Sequence, residues 1–132
     1  MNGHSVGLGC LYFEQSSMSW NEAKSFCETI DAHLIEIYDS SQHTFMSQKS
    51  QEVFGGFVGS WIGLKKEPNI FIWDYSQLTA TFFYWNSGYP LSASGRDYVA
   101  LNNGGITHKW YNTYEYANHY PICQLSGNFS FI

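Results

Sequence analysis

The hydrophobic pattern divides this chain into two halves with different periods. A short apolar run at Leu11-Tyr12-Phe13 predicts a strand. Trp20, Ala23, Cys27 and Ile30 then recur at helical spacings, with Phe26 beside them. Ser19 and Glu22 stand before this stripe as a capping box, in which hydroxyl and carboxylate each satisfy a free N–H of the first turn. The spacing predicts a helix opening at Trp20, with Cys27 on its buried face. Leu34-Ile35-Glu36-Ile37 predicts a strand or an extended connection. Asp39-Ser40-Ser41 offers N-caps for a second helix that carries Phe45 and Met46 into the low fifties and ends at Gly55-Gly56.

After Gly56 the helical period disappears. Runs of aromatic and β-branched residues predict strands at Ser60–Leu64, Phe71–Trp73, Thr81–Trp85, Tyr98–Leu101, His108–Tyr111 and Tyr120–Cys123. Between Trp85 and Tyr98 the chain is rich in Gly, Ser, Asn and Pro, a loop long enough to suspect function. Two helices followed by a β-rich half make the fold class α+β.

Composition narrows the functions. At 132 residues the chain is one domain. Aromatic residues make up 19% and charged residues only 13%, which points to an aromatic core, an aromatic binding surface, or both. The net charge is −5 and no basic cluster exceeds Lys65-Lys66, which argues against nucleic acid and polyanions as partners. No apolar run approaches the length of a membrane span, so membrane insertion is not expected. Met1 to Gly9 lacks the apolar centre of a leader; in a secreted chain it reads as an N-terminal extension or the remnant of an engineered start.

Cys10, Cys27 and Cys123 form no CxxC motif. One bridge between distant cysteines is possible, its pairing is open from the residues alone, and at least one thiol stays unpaired within the chain. His4, His33, His43, His108 and His119 have no metal-ligand spacing, so no metal site is expected. No nucleophile signature, paired carboxylates or phosphate loop is present, and enzymatic activity is not expected.

The order and spacing of several short motifs resemble the C-type lectin-like domain over residues 10–124. They are Cys10-Leu11-Tyr12-Phe13, Trp20-x-x-Ala23-x-x-x-Cys27, Ala32-His33-Leu34-x-x-Ile37, Trp61-Ile62-Gly63-Leu64 and Trp73-Asp74. Tyr84-Trp85-x-x-Gly88-x-Pro90, Val99-Ala100-Leu101, Trp110 and Ile122-Cys123-Gln124 complete the set, leaving 125–132 as a C-terminal tail. The resemblance implies two helices flanking small antiparallel sheets with a long loop region. It also implies a disulfide from Cys27 to Cys123 and hence an oxidising, extracellular or secreted setting. The family's usual second bridge falls on Tyr98 and Glu115, so residues 102–119 are expected to be looser unless Tyr98 fills the space. The counterpart of Cys10 usually pairs with a cysteine further upstream; here Cys10 is expected to be free or to join a second chain as a homodimer.

The same resemblance bears on calcium. Glu67-Pro68-Asn69 spells the family's calcium motif, but it lies before Trp73 rather than after the Trp85-x-x-Gly88 turn, and reads as an ordinary hairpin turn. The family's ligand positions map onto Tyr89, Leu91, Arg96, Tyr111 and Asn112, of which only Asn112 offers an amide or carboxylate oxygen. Calcium prefers six to eight oxygens, several of them carboxylate. No cofactor is therefore expected.

The loop face retains Tyr89, Arg96, Tyr111, Asn112, Tyr114, Tyr116, Asn118 and His119 as candidate ligand-binding residues, because tyrosine and arginine dominate recognition surfaces. The expected function is a non-enzymatic module that binds a protein or glycan without calcium. The alternatives are a carbohydrate-binding lectin using aromatic stacking or a displaced calcium site, and a self-associating structural protein. Asn128-Phe129-Ser130 is an N-glycosylation sequon that fits a secreted chain.

Overall fold

The computed structural model describes residues 7–55, 58–101 and 108–125. Helix α1 (Trp20–Thr29) starts where the capping box predicts: Ser19 Oγ accepts from the Glu22 N–H, and the Glu22 carboxylate accepts from the Ser19 N–H. Helix α2 (Ser40–Phe54) is capped by the Asp39 carboxylate, which accepts from the Gln42 N–H at 2.8 Å. It stops at Gly55, whose left-handed conformation lets its N–H return to the Gln51 carbonyl.

Among the described residues seven strands form a sheet in the order β1-β7-β3-β5-β6, with β2 also on β7 and β4 also on β3. Their ranges are β1 Leu11–Phe13, β2 Ala32–Leu34, β3 Ser60–Lys66, β4 Phe71–Trp73, β5 Tyr98–Leu101, β6 Trp110–Thr113 and β7 Tyr120–Leu125. The expected small antiparallel sheets join into one mixed sheet because β3 and β7 run parallel, pairing Ser60 with Tyr120 and Trp61 with Pro121. At Gly63 the chain crosses so close to the β2 exit that a Cβ would sit 2.8 Å from the Leu34 carbonyl oxygen. Only glycine allows the Gly63 N–H to reach the Ile35 carbonyl there, at 2.8 Å.

Two apolar clusters fill the interior. The larger gathers Ile35, Ile37, Met46, Ile62, Leu64, Trp73, Val99, Leu101, Trp110 and Ile122. The smaller surrounds the Cys27–Cys123 disulfide with Trp20, Ala23, Ala32, Leu34, Trp61 and Ala100. Tyr98 packs on this second cluster, its ring 4.8 Å from that of Trp20. Glu115 meets the start of α1: its carbonyl accepts from the Trp20 N–H and its carboxylate from the Asn21 N–H. The two positions that carry the family's usual second bridge, here Tyr98 and Glu115, are thus tied to α1, Tyr98 by packing and Glu115 by hydrogen bonds at the positive end of the helix dipole.

Some expectations need correction. Thr81–Trp85 is not a strand; it makes one bridge, Trp85 with Trp110, flanked by two backbone bonds to Trp110. Its aromatic residues reflect packing, since Phe82, Phe83 and Trp85 all set their rings against Trp110. His108 and Lys109 precede β6 rather than belong to it. Of the two readings of Leu34–Ile37 the structure takes the extended connection, with β2 ending at Leu34 and Ile35–Ile37 buried. Glu67-Pro68-Asn69 lies in the β3–β4 hairpin turn, with Glu67 paired to Lys65 at 2.8 Å. His4, the sequon at Asn128, most of the expected N-terminal extension and C-terminal tail, and the 102–107 part of the segment expected to be looser lie outside the described residues.

The bridge closes a loop with a sequence separation of 96, for which chain entropy gives about 4–5 kcal/mol. Replacing Cys27 and Cys123 by alanine is therefore expected to cost a few kcal/mol and lose the fold near body temperature, read by circular dichroism. Acid should also destabilise the fold. Burial lowers His43, His108 and His119 from 6.5 to about 4, with His108 also disfavouring charge on His43. The unfolded chain therefore binds more protons between about pH 6.5 and 4, so stability is full above that window and lost as pH falls through it. Stability should fall from pH 7 to pH 5 by up to about 1.4 kcal/mol per pH unit for each histidine, and melting temperatures should drop with it. A flat profile would show that these side chains are hydrated.

Candidate functional site

The long loop, residues 86–97, begins where the Asn86 N–H bonds the Trp110 carbonyl at 2.8 Å. It bends through the cis Tyr89–Pro90 bond and returns through Gly95 to β5. What holds it to the sheet is Asn112 in β6, whose side chain is wholly buried. Asn112 Oδ1 accepts from the Leu91 N–H at 2.8 Å, and Nδ2 donates to the Leu91 and Arg96 carbonyls at 2.7 and 2.9 Å. Arg96 Nη1 in turn donates to the Asn112 carbonyl at 3.0 Å. One amide thus satisfies three backbone groups of a loop that otherwise meets the strands only at its ends, through Asn86 and Asp97, while leaving none of its own polar atoms unpaired.

Tyrosines flank this fastening. The Tyr89 ring stands edge-on to Tyr111, 5.7 Å away. The Tyr111 hydroxyl shares a 2.6 Å hydrogen bond with His119 Nε2, and burial raises the tyrosine above its usual pKa. His119 is itself buried, edge-on to Trp61 at 4.9 Å, and its backbone pairs with Met18. Further out, the Arg96 guanidinium lies 4.8 Å over the Tyr114 ring, and Tyr114 stacks on Tyr116 with centroids 5.3 Å apart and planes 7° from parallel. Gly95 fits under Tyr114, where an added Cβ would approach the ring to 3.2 Å. Tyr116 is 72% exposed, and Asn118 is exposed two residues later.

Contacts link Tyr89, Tyr111 and His119, and Arg96 with Asn112, Tyr114 and Tyr116, while Asn118 is near them in sequence; the eight sequence-selected residues occupy different places. Asn112 and His119 belong to the buried framework, Asn112 with both amide atoms engaged and His119 through its Nε2 bond to Tyr111. Tyr111 is half-buried and joins framework to surface. Tyr89, Arg96, Tyr114, Tyr116 and Asn118 reach solvent. Leu91, noted only for an unsuitable side chain, contributes through its backbone.

Sequence reasoning missed a second polar cluster beneath α2. His43 Nε2 bonds the His108 carbonyl at 2.9 Å, and Ser47 Oγ bonds His108 Nδ1 at 2.7 Å. Both imidazoles are buried and His43 lies against the Tyr84 ring, so the group anchors the helix to the segment before β6. The signal was the i, i+3, i+7 spacing of His43, Met46 and Ser50, all buried, in a helix whose polar residues concealed its inner face. Among the described residues no group of three His, Cys, Asp or Glu side chains is placed to hold a metal ion. Nor is any helix there long and apolar enough to cross a membrane.

Comparison with known proteins matches residues 16–125 to the family model described as the lectin C-type domain. Human C-type lectin domain family 17, member A, is 30% identical over 87% of this chain, which spans 29% of that protein. Ladderlectin of Oncorhynchus mykiss is 27% identical over 92% of the chain and 64% of its own length. Hepatic lectin of Gallus gallus is 32% identical over 87% of the chain and 54% of its own length. The chain therefore spans less than two thirds of these relatives. Human lithostathine superposes with a TM-score of 0.79 at 20% identity, covering 89% of this chain and 83% of that one. The mouse scavenger receptor C-type lectin carbohydrate-recognition domain gives a TM-score of 0.75 at 21% identity, covering 91% of each.

Removing the Asn112 amide should loosen the loop more than the core. Asn112→Ala leaves the Leu91 N–H and two carbonyls without partners, at a cost of about 1–3 kcal/mol. Hydrogen exchange should rise across residues 86–97 while β3 and β7 stay protected. Uniform loss of protection across the sheet would count against this local role.

Proposed function

This chain belongs to the C-type lectin domain family, and we propose that it is a non-enzymatic extracellular recognition module that binds a protein or glycan ligand without calcium. The binding face is the one built from Tyr89, Arg96, Tyr111, Tyr114, Tyr116 and Asn118. The observation that carries this reading is the state of Asn112. It is the one residue among the family's five mapped ligand positions with an amide or carboxylate oxygen, and its amide already binds Leu91 and Arg96. The guanidinium of Arg96 brings a positive charge to the same place. A hard cation there would meet a cation and a spent amide instead of the several carboxylates it prefers.

A secreted location is supported by the Cys27–Cys123 bridge, which persists in oxidising surroundings. Lectin relatives and the exposed Tyr116 ring, stacked on Tyr114, favour the sugar-stacking alternative, in which the ligand is a glycan held by aromatic rings. Cys10 is free and partly exposed beside β1, which supports covalent pairing with a second copy as the route to a homodimer.

Calcium should then leave stability unchanged. Melting temperatures measured in excess calcium and in chelator are expected to coincide. A cation bound at a hundred times its dissociation constant would add about 2.7 kcal/mol, a shift of several degrees in a domain of this size. Such a shift would refute calcium independence and revive the displaced-site alternative.

A further inference from the structure

We propose that the ligand of this face carries an acidic sugar, whose anionic group is held by Arg96 and whose ring lies against the Tyr114–Tyr116 stack. The inference rests on the reading of the loop face as the recognition site, and it names the ligand class.

Arg96 is the chain's only arginine. Its side chain is fixed twice, by the Nη1 bond to the Asn112 carbonyl and by stacking over Tyr114. Lys24, Lys49 and Lys65 each contact a carboxylate at 3.3 Å or less. Arg96 has no carboxylate at ion-pair distance among the described residues, and the Asn112 carbonyl uses only one edge of its fork. The residue as a whole is partly exposed. A planar fork already oriented in this way suits a carboxylate or a sulfate, bound through two parallel N–H bonds.

The rest of the face suits the body of a sugar. Tyr116, stacked on Tyr114 and 72% exposed, offers the flat apolar surface of its ring. A pyranose ring has one face of C–H groups that packs on such a platform and a rim of hydroxyls that needs polar partners. Exposed Asn118, Ser92 and Ser94 lie close in sequence to the two stacking residues and to Arg96. The net charge of −5 supplies no long-range attraction for a polyanion, so the recognition is of one anionic group at short range.

The test is a titration of the domain in chelator with sialyllactose, a glucuronate-terminated trisaccharide, sulfated lactose and plain lactose, followed by NMR. The acidic sugars are expected to bind about tenfold more tightly than lactose, the scale of one charge-assisted contact. Carboxylated and sulfated members together show which anion the fork prefers. Arg96→Gln should bring the acidic sugars down to the lactose level, and Tyr116→Ala should weaken acidic and neutral sugars alike with the melting temperature kept. If Arg96→Gln lowers the melting temperature, Arg96→Lys decides: it keeps the charge, loses the fork, and should fall between. Equal binding of lactose and the acidic sugars, or indifference to both Arg96 substitutions, overturns the acidic-sugar assignment. It leaves the face standing if Tyr116→Ala still weakens binding. No binding of any of these sugars, with Tyr116→Ala abolishing capture of a protein ligand, overturns it in favour of a protein partner. Undiminished ligand binding by Tyr116→Ala removes the loop face itself.

Discussion

The fold depends on what β7 can hold together. This strand pairs with β1 and β2 in antiparallel register and with β3 in parallel register, so three distant parts of the chain converge on six residues. Cys123, in its middle, is bonded to Cys27 on the buried face of α1. The bond fastens the first helix across the strand that closes the sheet, at a point where Trp20, Trp61 and Ala100 also meet. Non-local pairings of this kind must be closed against chain entropy, and a covalent link that shortens the open chain reduces that cost most where the loop is long.

A long irregular loop poses a different constraint, because its backbone has no ladder to satisfy it. The solution is to bury one amide beneath it. Asn112 stands in a β-strand, where asparagine is disfavoured, and its place is explained by the Leu91 and Arg96 backbone groups it satisfies. Carbonyls and an N–H group that would otherwise demand water are met by protein. Arg96 is held in turn by its bond to the Asn112 carbonyl and its stacking on Tyr114.

Much of the fold was legible because its signals are local. The capping box at Ser19 and Glu22, the helical stripe through Cys27, and the Gly55 stop are all read over a few residues and all appear as expected. The failures share a cause. Thr81–Trp85 has a strand's composition, but its side chains were selected to pack on Trp110, and composition does not distinguish a ladder from a packed extended segment. The inner face of α2 was hidden because His43 and Ser50 are polar letters in buried places. The candidate site was legible as a set of residues and not as a set of roles. Nothing in the sequence separates Asn112, buried and saturated, from Asn118, exposed six residues later.

That separation of roles bears on recognition. Asn112 and His119 hold the face from beneath, and the hydrogen bond from His119 to Tyr111 carries the framework up to the surface. The stacked pair of Tyr114 and Tyr116 and the pinned guanidinium of Arg96 are then presented with few rotamers left to lose. Ordering side chains on binding costs roughly 0.5–1.5 kcal/mol for each flexible group, so a face already ordered keeps more of its contact energy as affinity. Exposure, more than residue type, separates the members of this tyrosine-rich cluster that reach solvent from those that hold the others in place.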